Sequence, residues 1–333
     1  MLNYQKKGSY LSFLVVIFII FLTGCSGTPP IEPPVTPTLP VTNSTQGTSF
    51  STIHNAINAS SPGDIIIVSP GTYYENLDFE GKNITVRSTN SSDSGTVVST
   101  IIDGNHTGAV VTFQREETAA AVLEGFTIKN GSGSNVGDWF KNGGGIYCYN
   151  SSPTISNNII LNNTADTGGG IYCSHSSPII SNNTIILNSA KGGGGIYCGD
   201  SSSPVITKNT ISHNSASHNS GGGGILCYDS SPTITTNTIS WNSAFKGGGI
   251  YSFDSVSTIT GNTLSNNSAT QQGGGIFVSK LSIVKDSHGN SWPRLNAPPN
   301  PETNNFYSEN THQGALFNTG ADVYFESGLF NLR

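Results

Sequence analysis

The string GGGIYC at residues 143–148 returns along the chain in varied form, with its isoleucine at positions 146, 171, 196, 225, 250 and 276. The spacings are 25, 25, 29, 25 and 26 residues. A unit this short cannot close a core alone, so it must stack on its neighbours and share one with them. Two further apolar positions recur inside each unit: Ile155, Ile180, Ile206, Ile234, Ile259, and then Ile160, Ile185, Ile211, Ile239, Leu264. Asn158, Asn183, Asn209, Asn237 and Asn262 follow the first set, and Asn163, Asn188, Asn214, Asn242 and Asn267 follow the second. Pro153, Pro178, Pro204 and Pro232 precede the first. Short Ile-rich runs between Gly, Asn, Ser and Pro are short strands joined by tight turns. Stacking puts like on like at roughly the 4.8 Å strand spacing, so the Ile ladders fill the interior and Asn side chains bond one another at the bends. The expected fold is all-β: a single-stranded, right-handed parallel β-helix with three short strands per coil.

Composition agrees. Charged residues make up 10% of the 333, against about 25% in an average soluble domain. With 40 Gly and one Met, the chain lacks what a helix bundle or coiled coil needs. Collagen is excluded because Gly shows no three-residue period. A hydrophobic content of 35% and a net charge of only −6 argue against a disordered acidic chain. Fourteen basic against twenty acidic residues leave no basic stripe for nucleic acid.

The first residues read as an address. Lys6 and Lys7 precede an apolar run over residues 10–22, too short for a bilayer-spanning helix but suited to a secretory signal. The run ends in Leu22-Thr23-Gly24-Cys25, which resembles the lipobox of bacterial lipoproteins. That resemblance implies cleavage after residue 24, lipidation of Cys25 and a membrane-anchored protein of the cell envelope, outside the cytoplasm. The alternative is an uncleaved anchor. Residues 25–48 carry six prolines and read as an extended spacer. Residues 49–333 are expected to hold the β-helix, with regular repeats over 143–280 and an irregular cap over 281–333. Ile53, Ala56 and Ile57 form a helical apolar stripe suited to covering the first coil. Strands are expected at 65–68, 84–87, 97–102, 109–113 and 122–128, and Val323–Phe325 as part of the closing cap.

The six-fold repeat, with Ser51-Thr52-Ile53-His54-Asn55-Ala56-Ile57, Pro62-Gly63-Asp64-Ile65 and Pro70-Gly71-Thr72-Tyr73, resembles right-handed β-helix proteins of the pectin-lyase-like superfamily. That group includes the NosD-like family. The resemblance covers about residues 50–280 and is specific for fold. It implies no single activity, since this fold hosts lyases, hydrolases, esterases, epimerases and non-catalytic binders. The Gly-His-Gly and Arg-Ile-Lys strings of the superfamily's galacturonan hydrolases do not occur, and no Arg lies between Arg115 and Arg294 to act as a lyase base. The copper association of NosD-like proteins does not transfer to a chain with one Met and scattered histidines.

Three rows hold the candidate site residues. By strand alternation Cys148, Cys173, Cys198 and Cys227 point inward, ending with Ser252 and Val278, as buried thiols, as one or two disulfides, or as a metal site lacking His companions. Tyr147, Tyr172, Tyr197, Leu226, Tyr251 and Phe277 point outward, either as an exposed carbohydrate-binding row formed by Tyr147, Tyr172, Tyr197 and Tyr251 or as a stack that stabilises the sheet. Two residues past each cysteine position come Asn150, His175, Asp200, Asp229, Asp254 and Lys280. The carboxylates of Asp200, Asp229 and Asp254, about 5 Å apart, would match a retaining glycosidase pair or collect Ca²⁺; otherwise these are turn residues. No cofactor is expected beyond that Ca²⁺. The leading expectation is a monomeric envelope lipoprotein that binds polysaccharide or another surface partner without catalysis. The alternatives are a polysaccharide lyase or glycoside hydrolase, and a structural adhesin or spacer.

Overall fold

The computed structural model describes residues 40–136, 140–218 and 221–279, and beyond them the backbone of five short strands between 283 and 325. Cys25 and Lys280 lie outside the described residues, as do the signal and the prolines at 293–301.

The N-terminal end is closed by a hairpin and a helix. Strand β1 (Val41–Asn43) pairs antiparallel with β2 (Thr48–Phe50) and with β3 (Ile65–Val68). Strand β1 thus lies inside the segment expected to be a spacer. The reason is local: Val41 enters the core, and buried Asn43 is satisfied by donating to Asp64 (2.8 Å) and Ser60 (3.1 Å) while accepting from the Thr45 and Gln46 amides. Helix α1 (Ile53–Ala59) begins at Thr52, whose hydroxyl accepts from the Asn55 amide, and buries Ile53, Ala56 and Ile57 as expected. Glu75 accepts from the Ile53 and His54 amides at its start. Lys82 donates to the Ile57 and Asn58 carbonyls at its end.

Beyond the cap the chain winds as a parallel solenoid with three long sheets. Sheet A has twelve strands, including Thr154–Ser156, Ile179–Ser181 and Val205–Thr207. Sheet B has nine, including Ile159–Leu161, Thr184–Ile186 and Thr210–Ser212. Sheet C also has nine and carries the Ile-Tyr-Cys strands, such as Ile146–Tyr149, Ile171–Ser174 and Ile196–Gly199. Registers hold residue on residue, Ile155 on Ile180 on Ile206 in sheet A and Ile160 on Ile185 on Ile211 in sheet B. These isoleucines are fully buried.

Three strands per coil holds in the early coils, and the later ones add a short fourth. A short fourth sheet of five strands, Ser189–Ala190, Ser215–Ala216, Ser243–Lys246, Ser268–Gln272 and Thr311–His312, forms between sheets B and C. Its strands are small and polar, without the apolar signature that marks the others. Two early segments also differ from expectation. Residues 97–99 of the expected 97–102 strand lie in helix α2 (Ser94–Ser99), because Asp93 accepts from the Thr96 amide and caps it; the strand Thr100–Asp103 follows. The expected 122–128 strand divides into Val122–Glu124 and Thr127–Lys129 around a bend at Gly125. At the far end the sequence period fades but pairing continues. Phe306–Ser308, Thr311–His312 and Val323–Phe325 each add a parallel strand to a different sheet, so the segment read as an irregular cap lays down another coil.

Both Asn ladders run inside the wall. Asn188 receives the Asn163 amide and side chain on its Oδ1, and donates from Nδ2 to Ile160 O (2.9 Å) and Asn214 Oδ1 (3.0 Å). The second ladder repeats this through Asn158, Asn183, Asn209, Asn237 and Asn262. The glycine triplet makes the coils fit. Gly168 has φ +67°, and a Cβ on Gly169 would lie 2.5 Å from the Ser189 carbonyl and 2.6 Å from that of Gly194 in the next coil.

Candidate functional site

The sheet C strands carry the three rows singled out in the sequence. Cys148, Cys173, Cys198 and Cys227 stack in register, point inward, and are buried free thiols. The Cys148 neighbour and then burial push Cys173 up, burial pushes Cys198 up, and burial, opposed by a hydrogen bond from Ser257, pushes Cys227 up to about 12. Cys173, Cys198 and Cys227 therefore hold too little thiolate for chemistry.

The tyrosines face away from the core as alternation requires, but they are not exposed. Tyr147, Tyr172 and Tyr251 retain 6, 7 and 5% of their accessible surface, and Tyr197 is half-buried. The rings lie down on one another: Tyr147 on Tyr172 at 5.4 Å and 2°, Tyr172 on Tyr197 at 5.0 Å and 5°. Strand alternation tells the side of the sheet, not whether a ring stands or lies flat, and flat stacking occupies the ring faces a sugar would use. Burial pushes the Tyr147 phenol up to about 12; burial and then the Asp200 charge push Tyr197 up further.

The exposed rings belong to the next outward position, two residues on. That column reads Tyr149, Ser174, Gly199, Tyr228, Phe253 in register. Tyr149 is 38% exposed and Tyr228 44%. Tyr228 stacks on Phe253 at 5.3 Å and 4°, and Phe253 meets Tyr251 edge-on at 6.0 Å. Exposed rings therefore bracket two small residues, and the Tyr197 ring covers one of them, Gly199. The period-two signal for this column is present in every unit of the sequence.

The turn row is a backbone device. Asn150, His175, Asp200, Asp229 and Asp254 all have φ between 45° and 52°. Asn, Asp and His are the non-glycine residues that enter this left-handed region most readily, which is consistent with all five identities. Asp200 accepts from Ser174 Oγ at 2.8 Å, and His175 Nδ1 lies 3.0 Å from the same hydroxyl. His175 also meets Tyr149 edge-on at 5.8 Å. Ser174 is only 2% exposed, so its hydroxyl is held within the turn by these two contacts. Among the described residues no group of three His, Cys, Asp or Glu side chains is placed to hold a metal ion.

No curated protein matches the chain in sequence. Among solved structures, a pectin methylesterase from Yersinia enterocolitica is similar with a TM-score of 0.41 and 12% identity, over 84% of this chain and 95% of that one. A pectin methylesterase in complex with hexasaccharide VII is similar with a TM-score of 0.30 and 11% identity, over 86% of this chain and 91% of that one. Residues 42–243, 123–290 and 192–330 each match the family described as the right handed beta helix region. With parallel sheets, stacked registers and this match along most of its length, the chain belongs to the right-handed β-helix family.

Proposed function

We propose that this protein is an envelope-anchored β-helix that binds extracellular polysaccharide on the outer face of sheet C, without chemistry. The observation that carries the reading is the exposed Tyr228 ring, stacked parallel on a half-buried Phe253, with exposed Tyr149 on the far side of the small residues Ser174 and Gly199. Exposed ring faces favour the flat C–H faces of sugars, and the His175 and Asp200 side chains supply polar groups beside them. Tyr147, Tyr172 and Tyr251 form the rigid floor, with Tyr197 half-open above it. Catalysis by Asp200, Asp229 and Asp254 is the weaker reading, because their left-handed turn accounts for them. Anchoring rests on Leu22-Thr23-Gly24-Cys25, with Cys25 as the acylated mature N-terminus; an unmodified N-terminus in mass spectra, or Cys25→Ala that stays in the membrane, refutes it.

The test is a glycan array run beside assays for new reducing ends and unsaturated products. Binding without product, abolished by Tyr228→Ala with Phe253→Ala while circular dichroism is unchanged, supports the proposal. Product formation would make the protein an enzyme. Neither binding nor product would leave a structural spacer.

A further inference from the structure

One corner of the solenoid breaks its own rule. The turn leaving sheet B needs a left-handed residue in every coil, and the row reads Asn162, Leu187, His213, Trp241, Asn266, with φ of 54°, 58°, 54°, 57° and 54°. Asn at both ends is what the backbone favours, whereas leucine and tryptophan are strained there. The surrounding segments are otherwise nearly identical: residues 184–190 read TIILNSA, 210–216 TISHNSA and 238–244 TISWNSA. The corner residue is the main difference. Neither does packing account for it, since Leu187 is 51% exposed, Trp241 56% exposed, and His213 exposed as well. The His213 and Trp241 rings stack at 6.0 Å and 13°. The backbone beneath is held coil to coil, from the Leu187 amide to Ser212 O, the His213 amide to Ser240 O and the Trp241 amide to Ser265 O. Two strained, exposed apolar side chains, Leu187 and Trp241, with the exposed His213 ring between them and stacked on Trp241, point to a ligand on this rigid ridge.

We propose that Leu187, His213 and Trp241 form a second binding ridge for a neutral, extended polysaccharide lying along the helix axis. Neutrality follows from the ridge itself: the three segments contain no Asp, Glu, Lys or Arg, and hydroxyls flank it at Thr184, Thr210 and Thr238 on one side and Ser189, Ser215 and Ser243 on the other. Of the lysines just outside the segments, Lys191 pairs with Asp166 and Lys246 lies over the Phe277 ring, leaving Lys208 beyond the Thr210 end. The direction follows from register. Equivalent residues on three successive coils span about 10 Å, two strand spacings, along the axis, which suits a polymer presenting one flat face after another. The inference rests on reading the protein as a polysaccharide binder but places this contact away from the sheet C face.

The test uses the full chain with Trp139→Phe and Trp292→Phe, so that emission reports Trp241 alone. β-1,4-linked hexasaccharides of glucose, xylose and mannose are titrated separately, with an oligogalacturonate as the charged comparison. A saturable shift with at least one neutral hexasaccharide is expected. In the otherwise wild-type chain, Leu187→Asn, His213→Asn and Trp241→Asn together should weaken retention on the matching polysaccharide at least tenfold, while the melting temperature stays level or rises. No response to any neutral hexasaccharide, stronger response to the oligogalacturonate, or full retention by the triple variant would overturn the proposal. So would a fall in its melting temperature, which would make the ridge structural, or an emission shift that follows protein concentration alone, which would make it a contact between copies. Tyr228→Ala with Phe253→Ala separates the two sites: if only that pair abolishes retention, the ridge fails and the sheet C reading stands, and if only the Asn triple does, the reverse holds.

Discussion

Tyr197 lies across Gly199, two residues on in the same strand, so closely that a methyl group at 199 would overlap the phenol. The two positions are coupled: glycine at 199 is what lets the ring lie flat and stack on Tyr172. Gly199→Ala should raise the Tyr197 ring off the sheet, open the stack, and destabilise the fold by about 1–3 kcal/mol, as overpacking does. Urea unfolding and the near-ultraviolet circular dichroism of the tyrosines would show it. An unchanged tyrosine signal would mean that the ring is not held by this contact.

The Asn ladder makes a sharper prediction. Asn188→Ala removes the acceptor for two Asn163 donors and leaves the Ile160 carbonyl and Asn214 Oδ1 each short of a donor. Each buried polar group left unsatisfied costs about 1–3 kcal/mol, so a loss of roughly 3 kcal/mol or more is expected. Asn162→Ala, at the exposed turn one coil earlier, should lose only about 1 kcal/mol, the penalty of a left-handed residue without Asn or Gly. Urea midpoints of the two variants, measured side by side, check the contrast.

The periodic parts of this fold are legible in the sequence. Ile155, Ile180 and Ile206 announce a ladder because each unit repeats the same burial requirement, and Ile53, Ala56 and Ile57 announce the capping helix by their spacing. Ser189–Ala190 and its stacked equivalents do not announce a sheet, since two small residues carry no pattern. The extra coil through Val323–Phe325 is hidden because backbone pairing outlasts the side-chain repeat. On the candidate face, the alternation that turns Tyr147 outward also turns Tyr149 and Tyr228 outward, so both columns are implied. Which column lies flat and which stays open depends on Gly199 and on the neighbouring rings, and these are contacts between coils that periodicity does not encode.

The N-terminal cap should be sensitive to acid. The Ser61 amide first, then Asn43, hold the Asp64 carboxyl below the ordinary carboxylate value against the opposing effect of desolvation; Gln46 and the Lys82 charge add to this. Since the folded value lies below the unfolded one, near 3.9, the ionised group's contribution is fully present well above pH 4 and is lost as pH falls through the lowered value. Asp64→Asn should therefore be less stable than the parent at pH 7, with the gap narrowing towards pH 3. A gap that stays constant with pH would show that the carboxylate's charge plays no part.

The four buried cysteines should be silent in the folded protein. Burial raises Cys198 and Cys227, and Cys173 is raised first by its Cys148 neighbour and then by burial, so thiolate is scarce at pH 8. In a Cys25→Ser chain, an aromatic disulfide reagent should find no reactive thiol until denaturant is added, and then four. Fewer than four after unfolding without reductant would reveal a disulfide in the ladder.

The turn row separates backbone from charge at Asp229, the middle of its three acids. Its φ is 45°, its amide donates to the Phe253 carbonyl, and its own carbonyl accepts from Ser201. If the position is selected for its left-handed backbone, Asp229→Asn keeps the preference and should change stability by no more than about 0.5 kcal/mol. Asp229→Val keeps no such preference and should lose roughly 1–2 kcal/mol. A cation bound only by the folded state would raise the melting temperature with its concentration, so millimolar Ca²⁺ and chelator should give closely similar melting curves under this reading. A large calcium-dependent rise that Asp229→Asn removes would establish a metal site at Asp200, Asp229 and Asp254. Loss of a glycan-cleaving activity in Asp229→Asn, with no effect of calcium, would instead make the row catalytic and overturn the binding-only reading of the sheet C face.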